Sequence, residues 1–301
     1  MIKRLHEYFK VMYPIIPRLF LGALIAAEIY FIVLLNNGVT TFSLGIQEIV
    51  LAFTVFSFLC WLRIADDFKD YELDSRLFPD RPLPSGKVTK KDLKIFLAVL
   101  MPFTIAVNAA FMPWQHFIFC IILYTYGSLM AVWFFQKYKI QKSLPLALVT
   151  HNPVQMILNT YIISFVIIKY STPIFNLTNI LAVFTLYFPA LIWEVTRKIR
   201  APKDETEYVT YSKLFGYKKA TNFALTVTWI DIVTNFILVW NLNKISVCLL
   251  LIDVAWMTYK FLQFKKDPTK FKLVSVVEKY TYIQESIMIL TIVAFLVFGK
   301  I

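Results

Sequence analysis

Long apolar stretches separated by short polar segments set the first expectation. Runs of about 20 residues, enough for a helix to cross a hydrocarbon core of roughly 30 Å, lie near 14–36, 46–65, 93–112, 116–135, 145–168, 175–196, 220–241, 246–263 and 281–299. The pattern predicts nine transmembrane helices, the third and fourth joined by a few residues around Pro113. Lipid offers no partner to an unpaired backbone group, so an all-α integral membrane bundle follows. Thr89 with Asp92 three residues later is a capping-box signature that opens the third span. No low-complexity linker divides the chain, and 1–301 reads as a single transmembrane domain.

Composition agrees, with 58% hydrophobic and 17% charged residues, where soluble domains run near half apolar and a quarter charged. The net charge of +12 would suit a nucleic-acid partner, but its placement argues against one. With the N-terminus inside, segments 1–13, 66–91, 136–144, 194–219 and 264–280 hold 24 Lys and Arg, against Lys169, Lys244 and Lys300 outside. That bias is the positive-inside rule and predicts a cytoplasmic N-terminus and cytoplasmic polar loops. Basic loops also suit anionic membrane lipids or a phosphorylated substrate. Cys60, Cys120 and Cys248 stand singly in apolar spans without metal-site spacing, as small interior residues do. Arg18 and Glu28 in the first span, with no small-residue cleavage site, read as a retained helix rather than a signal peptide.

Two inner loops stand out, 66–91 after the second span and 194–219 after the sixth. They lie four spans apart, and a body of two similar halves would bring them face to face. In the first, Asp66, Asp70 and Asp74 recur every four residues, on one helical face, with Asp67 beside them. Carboxylates near a helix C-terminus oppose its macrodipole and repel one another. A solvated helix end neutralised by Lys69, Arg76 and Arg81 is the bland account. A hard divalent cation is the sharper one: magnesium typically bridges one or two carboxylates to substrate phosphates.

The run Asp66 to Gly86, DDFKDYELDSRLFPDRPLPSG, resembles the first aspartate-rich motif of the UbiA superfamily of intramembrane prenyltransferases. In that family the pattern is Asn/Asp-Asp-x-x-Asp-x-x-x-Asp followed by Arg-Pro-x-x-x-Gly, here ending in Arg81, Pro82 and Gly86. The nine-span layout extends the resemblance along the chain. It implies a helical bundle around a central cavity, Mg²⁺, and an allylic isoprenyl diphosphate as substrate. On that basis Asp66, Asp67, Asp70 and Asp74 become metal candidates, with Arg63, Arg81 and Lys139 as diphosphate contacts.

The second loop departs from the family pattern. The stretch from Trp193 to Glu205 has Lys198 and Ala201 where acids are expected, while Tyr211 to Gly216 resembles the family's closing Thr/Ser-Leu-x-x-x-Gly. Glu194 is the carboxylate nearest the membrane boundary, with Arg197 and Lys198 on its helical face. Two readings follow. Glu194 is a metal ligand and Arg197, Lys198 and Arg200 clamp diphosphate, arginine serving through its planar fork of donors; or Glu194 only pairs with Lys198, an interaction of a few tenths of a kcal/mol on an exposed helix. Asn152, Gln155 and Asn159 recur at helical spacing in span five, as do Thr228, Asp231 and Asn235 in span seven. Such stripes line a cavity or cross-link helices.

The reading is therefore a Mg²⁺-dependent transferase in which Asp66, Asp70 and Glu194 are catalytic. It would ionise an isoprenyl diphosphate and pass the prenyl group to a lipophilic or aromatic acceptor. A terpene cyclase of the same superfamily is the alternative. A transporter fits less well, because its coupling acids should lie near mid-membrane, whereas the aspartate cluster sits at the cytoplasmic edge. The charge bias predicts that cysteines introduced at Lys87 and Lys203 are labelled by an impermeant thiol reagent from the cytoplasmic side only. Labelling of either from outside would break the topology.

Overall fold

The structure is a computed structural model that describes residues 1–206 and 208–300. Among these residues there are no strands. In order the helices are α1 (Ile2–Met12), α2 (Ile15–Asn36), α3 (Ile46–Lys69), α4 (Tyr71–Leu77), α5 (Lys90–Phe111), α6 (Trp114–Ala131), α7 (Lys137–Lys142) and α8 (Leu144–His151). Then come α9 (Val154–Tyr170), α10 (Leu177–Phe184), α11 (Tyr187–Thr196), α12 (Tyr211–Phe215), α13 (Tyr217–Trp240), α14 (Lys244–Lys266) and α15 (Leu273–Phe298). Eight helical stretches among the described residues are long and apolar enough to cross a membrane; α6, with 18 residues, is the remaining expected span.

Two of the spans are broken. Span five divides into α8 and α9 at Pro153, whose missing N–H cannot continue the ladder. Span six divides into α10 and α11 at Thr185 and Leu186, the latter in the left-handed region at φ 61°. The break frees backbone carbonyls, and lipid cannot satisfy them. Asn159 of α9 does so: its amide donates to the carbonyls of Val183 (2.9 Å) and Thr185.

The contacts gather into two compact units, Met1–Ala27 with Thr41–Lys137, and Glu28–Thr40 with Tyr138–Ile301. In the first, α1 turns Tyr8 and Phe9 inward, packed with Ile64, Leu83, Val88 and Leu93, and leaves its charged face exposed. A buried hydroxyl–amide chain ties α3, α5 and α6: Asn108 donates to Thr54 Oγ1 (2.8 Å), Thr104 to Ser57 Oγ (3.0 Å), and Ser57 meets the Tyr124 hydroxyl (3.0 Å). The expected capping box opens α5, with the Asp92 amide donating to Thr89 Oγ1. In the second unit, α13 packs against α10, α11, α14 and α15 over a core that includes Val195, Ala224, Leu250, Met257 and Met288. Asn36 of α2 donates to the Leu238 carbonyl (2.9 Å), and Thr291 to Ser246 (2.6 Å).

Gly22 marks a close helix approach in the first unit. A Cβ there would lie 2.9 Å from the Phe56 backbone nitrogen, which cannot swing away as a side chain can. Gly22→Ala is expected to destabilise the protein by about 1–3 kcal/mol through overpacking. Gly45, with nothing within 4 Å of its added Cβ, is the control, and Gly45→Ala should leave the thermal midpoint in detergent unchanged.

Candidate functional site

The polar segment 66–91 begins as the last turn of α3. Helical hydrogen bonding runs on through Asp70, which joins α3 to α4: its amide bonds the Asp66 carbonyl, and the Asp74 amide bonds its own carbonyl. The expected helical extension is therefore present, with a small break at Asp70. Beyond α4 the chain turns through Pro82, where the Val88 amide reaches the Pro82 carbonyl (3.1 Å). Gly86 adopts φ +77°, the left-handed region that favours glycine.

Three of the four aspartates hold cations. Asp66, half exposed, pairs with Lys69 (2.9 Å), whose ammonium also lies over the Trp133 ring at 4.8 Å. Asp67 is buried between Arg63 (2.7 Å) and the Tyr8 hydroxyl (2.5 Å). Asp74 pairs with Arg81 (2.6 Å), which stacks on Phe78. Asp70 is half-buried and forms no ion pair or side-chain hydrogen bond among the described residues. Burial first, and then the neighbouring Asp66, Asp74 and Asp67, push its carboxyl above the ordinary aspartate value, against the pull of Lys69. Among the described residues no three acidic, His or Cys side chains converge on one point.

Tyr8 and Arg4 have no counterpart in the sequence reading. Arg4 grips the capping aspartate Asp92 with two bonds (2.7 and 2.8 Å) while Tyr8 donates to Asp67, so α1 is fastened to both α3 and α5. Burial and the adjacent Asp67 push the Tyr8 hydroxyl well above the usual phenol range, which leaves it a donor. These partners are far apart in sequence. The inward-facing Tyr8 on an otherwise charged helix is the one local signal.

In the second unit, Glu194 closes α11 and accepts from Arg197 Nε (2.5 Å) and Lys198 Nζ (2.8 Å). The loop after it folds back on itself. Tyr211 N–H bonds the Lys198 carbonyl (2.9 Å), Arg200 N–H bonds Ser212 Oγ (2.9 Å), and the Arg200 guanidinium donates to Thr206 (2.9 Å). Glu205 accepts from the Thr210 and Ser212 hydroxyls (2.7 and 2.5 Å), and so ties the loop together; Asp204 is exposed. Lys139 is exposed on α7. Of the span-five stripe, Gln155 donates to Asn159 (2.9 Å), which in turn fills the break in span six, while the Asn152 amide nitrogen is buried without a partner. Between α5 and α6 of the first unit lies a groove of about 450 Å³, lined by residues such as Met101, Ile105, Tyr124, Thr125 and Leu129.

A solved structure of digeranylgeranylglyceryl phosphate synthase in membranes superposes with a TM-score of 0.67 over 96% of this chain and 98% of that one, at 18% sequence identity. That synthase is a UbiA-type prenyltransferase. This chain has the same fold. The likeness bears out the all-α membrane bundle and, as a fold, the UbiA resemblance carried by Asp66–Gly86. No family profile and no curated protein matches the chain.

Because Asp70 gains nothing from its surroundings in the absence of a cation, removing its charge should help the fold. In chelator at pH 7, Asp70→Asn is expected to stabilise the protein by about 0.5–1 kcal/mol. The raised carboxyl makes the wild type more stable as pH falls towards the carboxylate range, so the gain should shrink there. Thermal midpoints across that pH range check both signs.

Proposed function

We propose that this protein is a Mg²⁺-dependent intramembrane prenyltransferase, which ionises an allylic isoprenyl diphosphate and transfers the prenyl group to a lipophilic or aromatic acceptor. The observation that carries the reading is Asp70, a half-buried carboxylate without a cation among aspartates that have one, in a chain folded like a prenyltransferase. Asp66 and Asp70 suit a magnesium ion held by one or two carboxylates, with water and phosphate oxygens completing its shell. When bound, Mg²⁺ neutralises the charge that gathers on the departing diphosphate.

The chain's own groups do the rest. Asp67 and Asp74 hold Arg63 and Arg81 in fixed positions, so that each guanidinium keeps donors for phosphate oxygens without reorganising during the reaction. Lys69 would compete with a cation for Asp66, and its contact with Trp133 offers the ammonium a second partner. In the second polar segment, Glu194 orients Arg197 and Lys198, and the Thr206 and Ser212 contacts fix Arg200. These three supply further cationic donors, and the exposed Lys139 is another candidate. The reaction calls for apolar and aromatic walls, which would keep water from an allylic cation.

Asp66→Ala and Asp70→Ala should each abolish magnesium-dependent diphosphate release while leaving the protein extractable and folded; near-normal turnover in both would refute the assignment. If Glu194 serves as a metal ligand, Glu194→Gln should lower turnover at least a hundredfold, about 2.7 kcal/mol of transition-state stabilisation. If Glu194 serves only as a partner for Lys198, the loss is small and Lys198→Met restores it. Product analysis with a panel of allylic diphosphates decides the outcome of ionisation. Turnover that needs an acceptor supports transfer, and rapid acceptor-free formation of one cyclic product would make the protein a terpene cyclase.

A further inference from the structure

The second unit holds acids that the proposed reaction does not use. Glu28 on α2, Asp231 on α13 and Glu285 on α15 each lie at least eight residues from either end of their helices, roughly 12 Å along the axis at the helical rise. Glu28 and Asp231 are 3% and 1% exposed, and Oε2 of Glu285 is fully covered. The Glu28 and Glu285 carboxyls lie against each other. Asp231 stands beside Glu285 and accepts from Asn235 (3.1 Å) and more distantly from the Tyr280 hydroxyl (3.4 Å). No described Lys or Arg forms an ion pair with any of them.

Several buried polar atoms around these acids lack a partner. Oε1 of Glu28, Oε2 of Glu285, Oδ1 of Asn235 and Oε1 of Gln284 are all buried acceptors without a partner. Gln284, 1% exposed, lies against Asp231, yet its amide makes no hydrogen bond of normal geometry. Ionised carboxylates only accept, so two of them in contact would add repulsion to an unmet demand for hydrogens. A carboxyl that carries a proton becomes a donor, and like-charged pairs at this separation share one.

We propose that Glu28 and Glu285 form a proton-binding site in the membrane interior, a carboxyl pair whose shared proton holds α2 against α15. The other titratable groups facing the pair are Asp231 on α13 and, behind it, Tyr280 on α15 and Asp253 on α14. The site is independent of the proposed prenyl transfer and is tested without it.

The test uses the full chain in lipid nanodiscs, in sodium-free choline buffer, titrated from about pH 5 to about pH 10. Infrared spectroscopy follows the carbonyl band of protonated carboxyls, and calorimetry follows the thermal midpoint. The wild type should show the band at neutral pH, then lose it together with several degrees of midpoint as the medium turns alkaline. In Glu285→Gln, whose amide stays neutral and can donate to Glu28, that band component and the alkaline fall should both be absent. Glu28→Gln should behave alike and serves if the first variant fails to fold. A wild type without the band at neutral pH, or an alkaline fall unchanged in the variants, would overturn the proposal. So would recovery of the alkaline midpoint on adding sodium, which would make the occupant a metal cation.

Discussion

Every backbone and side-chain polar group placed in lipid must find its partner inside the protein, and most of this structure follows from that requirement. It makes the chain helical, and it also governs what happens where helices fail. At the break between α10 and α11 the freed carbonyls of Val183 and Thr185 are met by one side chain, Asn159. A residue whose pattern fits either a cavity wall or a link between helices thereby proves to be a link, meeting the freed backbone of its neighbour. Asn36 at the Leu238 carbonyl and Asn108 at Thr54 do similar work, so the polar residues of the spans fasten helices together at particular depths.

At the membrane edge the balance changes, because water is near and charge is tolerable. The first polar segment gathers four aspartates, and the structure answers three of them with Lys69, Arg63 and Arg81. The ion pairing of the bland reading is therefore present for three of the four carboxylates. The ion pairs neutralise most of the acidic face, and the unanswered carboxylate, Asp70, sits at the break between α3 and α4. The same ion pairs give Arg63 and Arg81 fixed orientations, which a free surface arginine lacks. Glu194 is answered twice over, by Arg197 and Lys198; in place of a second acidic cluster the second segment presents an anchored basic one.

The first helix shows how a short amphipathic element takes part in such a site. Its Arg4 and Tyr8 reach Asp92 and Asp67, so a surface helix is fixed to the start of one span and the end of another. Displacing α1 would expose Asp67 to solvent and free Arg63 to turn elsewhere.

The sequence by itself determined the helical class, the approximate limits of the spans, the capping box at Thr89 and the aspartate-rich run. Each of these is written in local pattern: twenty apolar residues, a spacing of three, a repeat of four. The partners were decided by tertiary structure. Tyr8 meets Asp67 and Asn159 meets Thr185 across dozens of residues, and spacing along a chain carries no record of such meetings. The break at Thr185 and Leu186 left only Pro189 as a local trace, its missing N–H falling four residues after Thr185, since span six is otherwise apolar on both sides and reads as one helix. Glu28 and Glu285, single acids in two distant spans, left no such trace. Only packing places one carboxyl against the other, where burial removes the water that would otherwise have kept them apart.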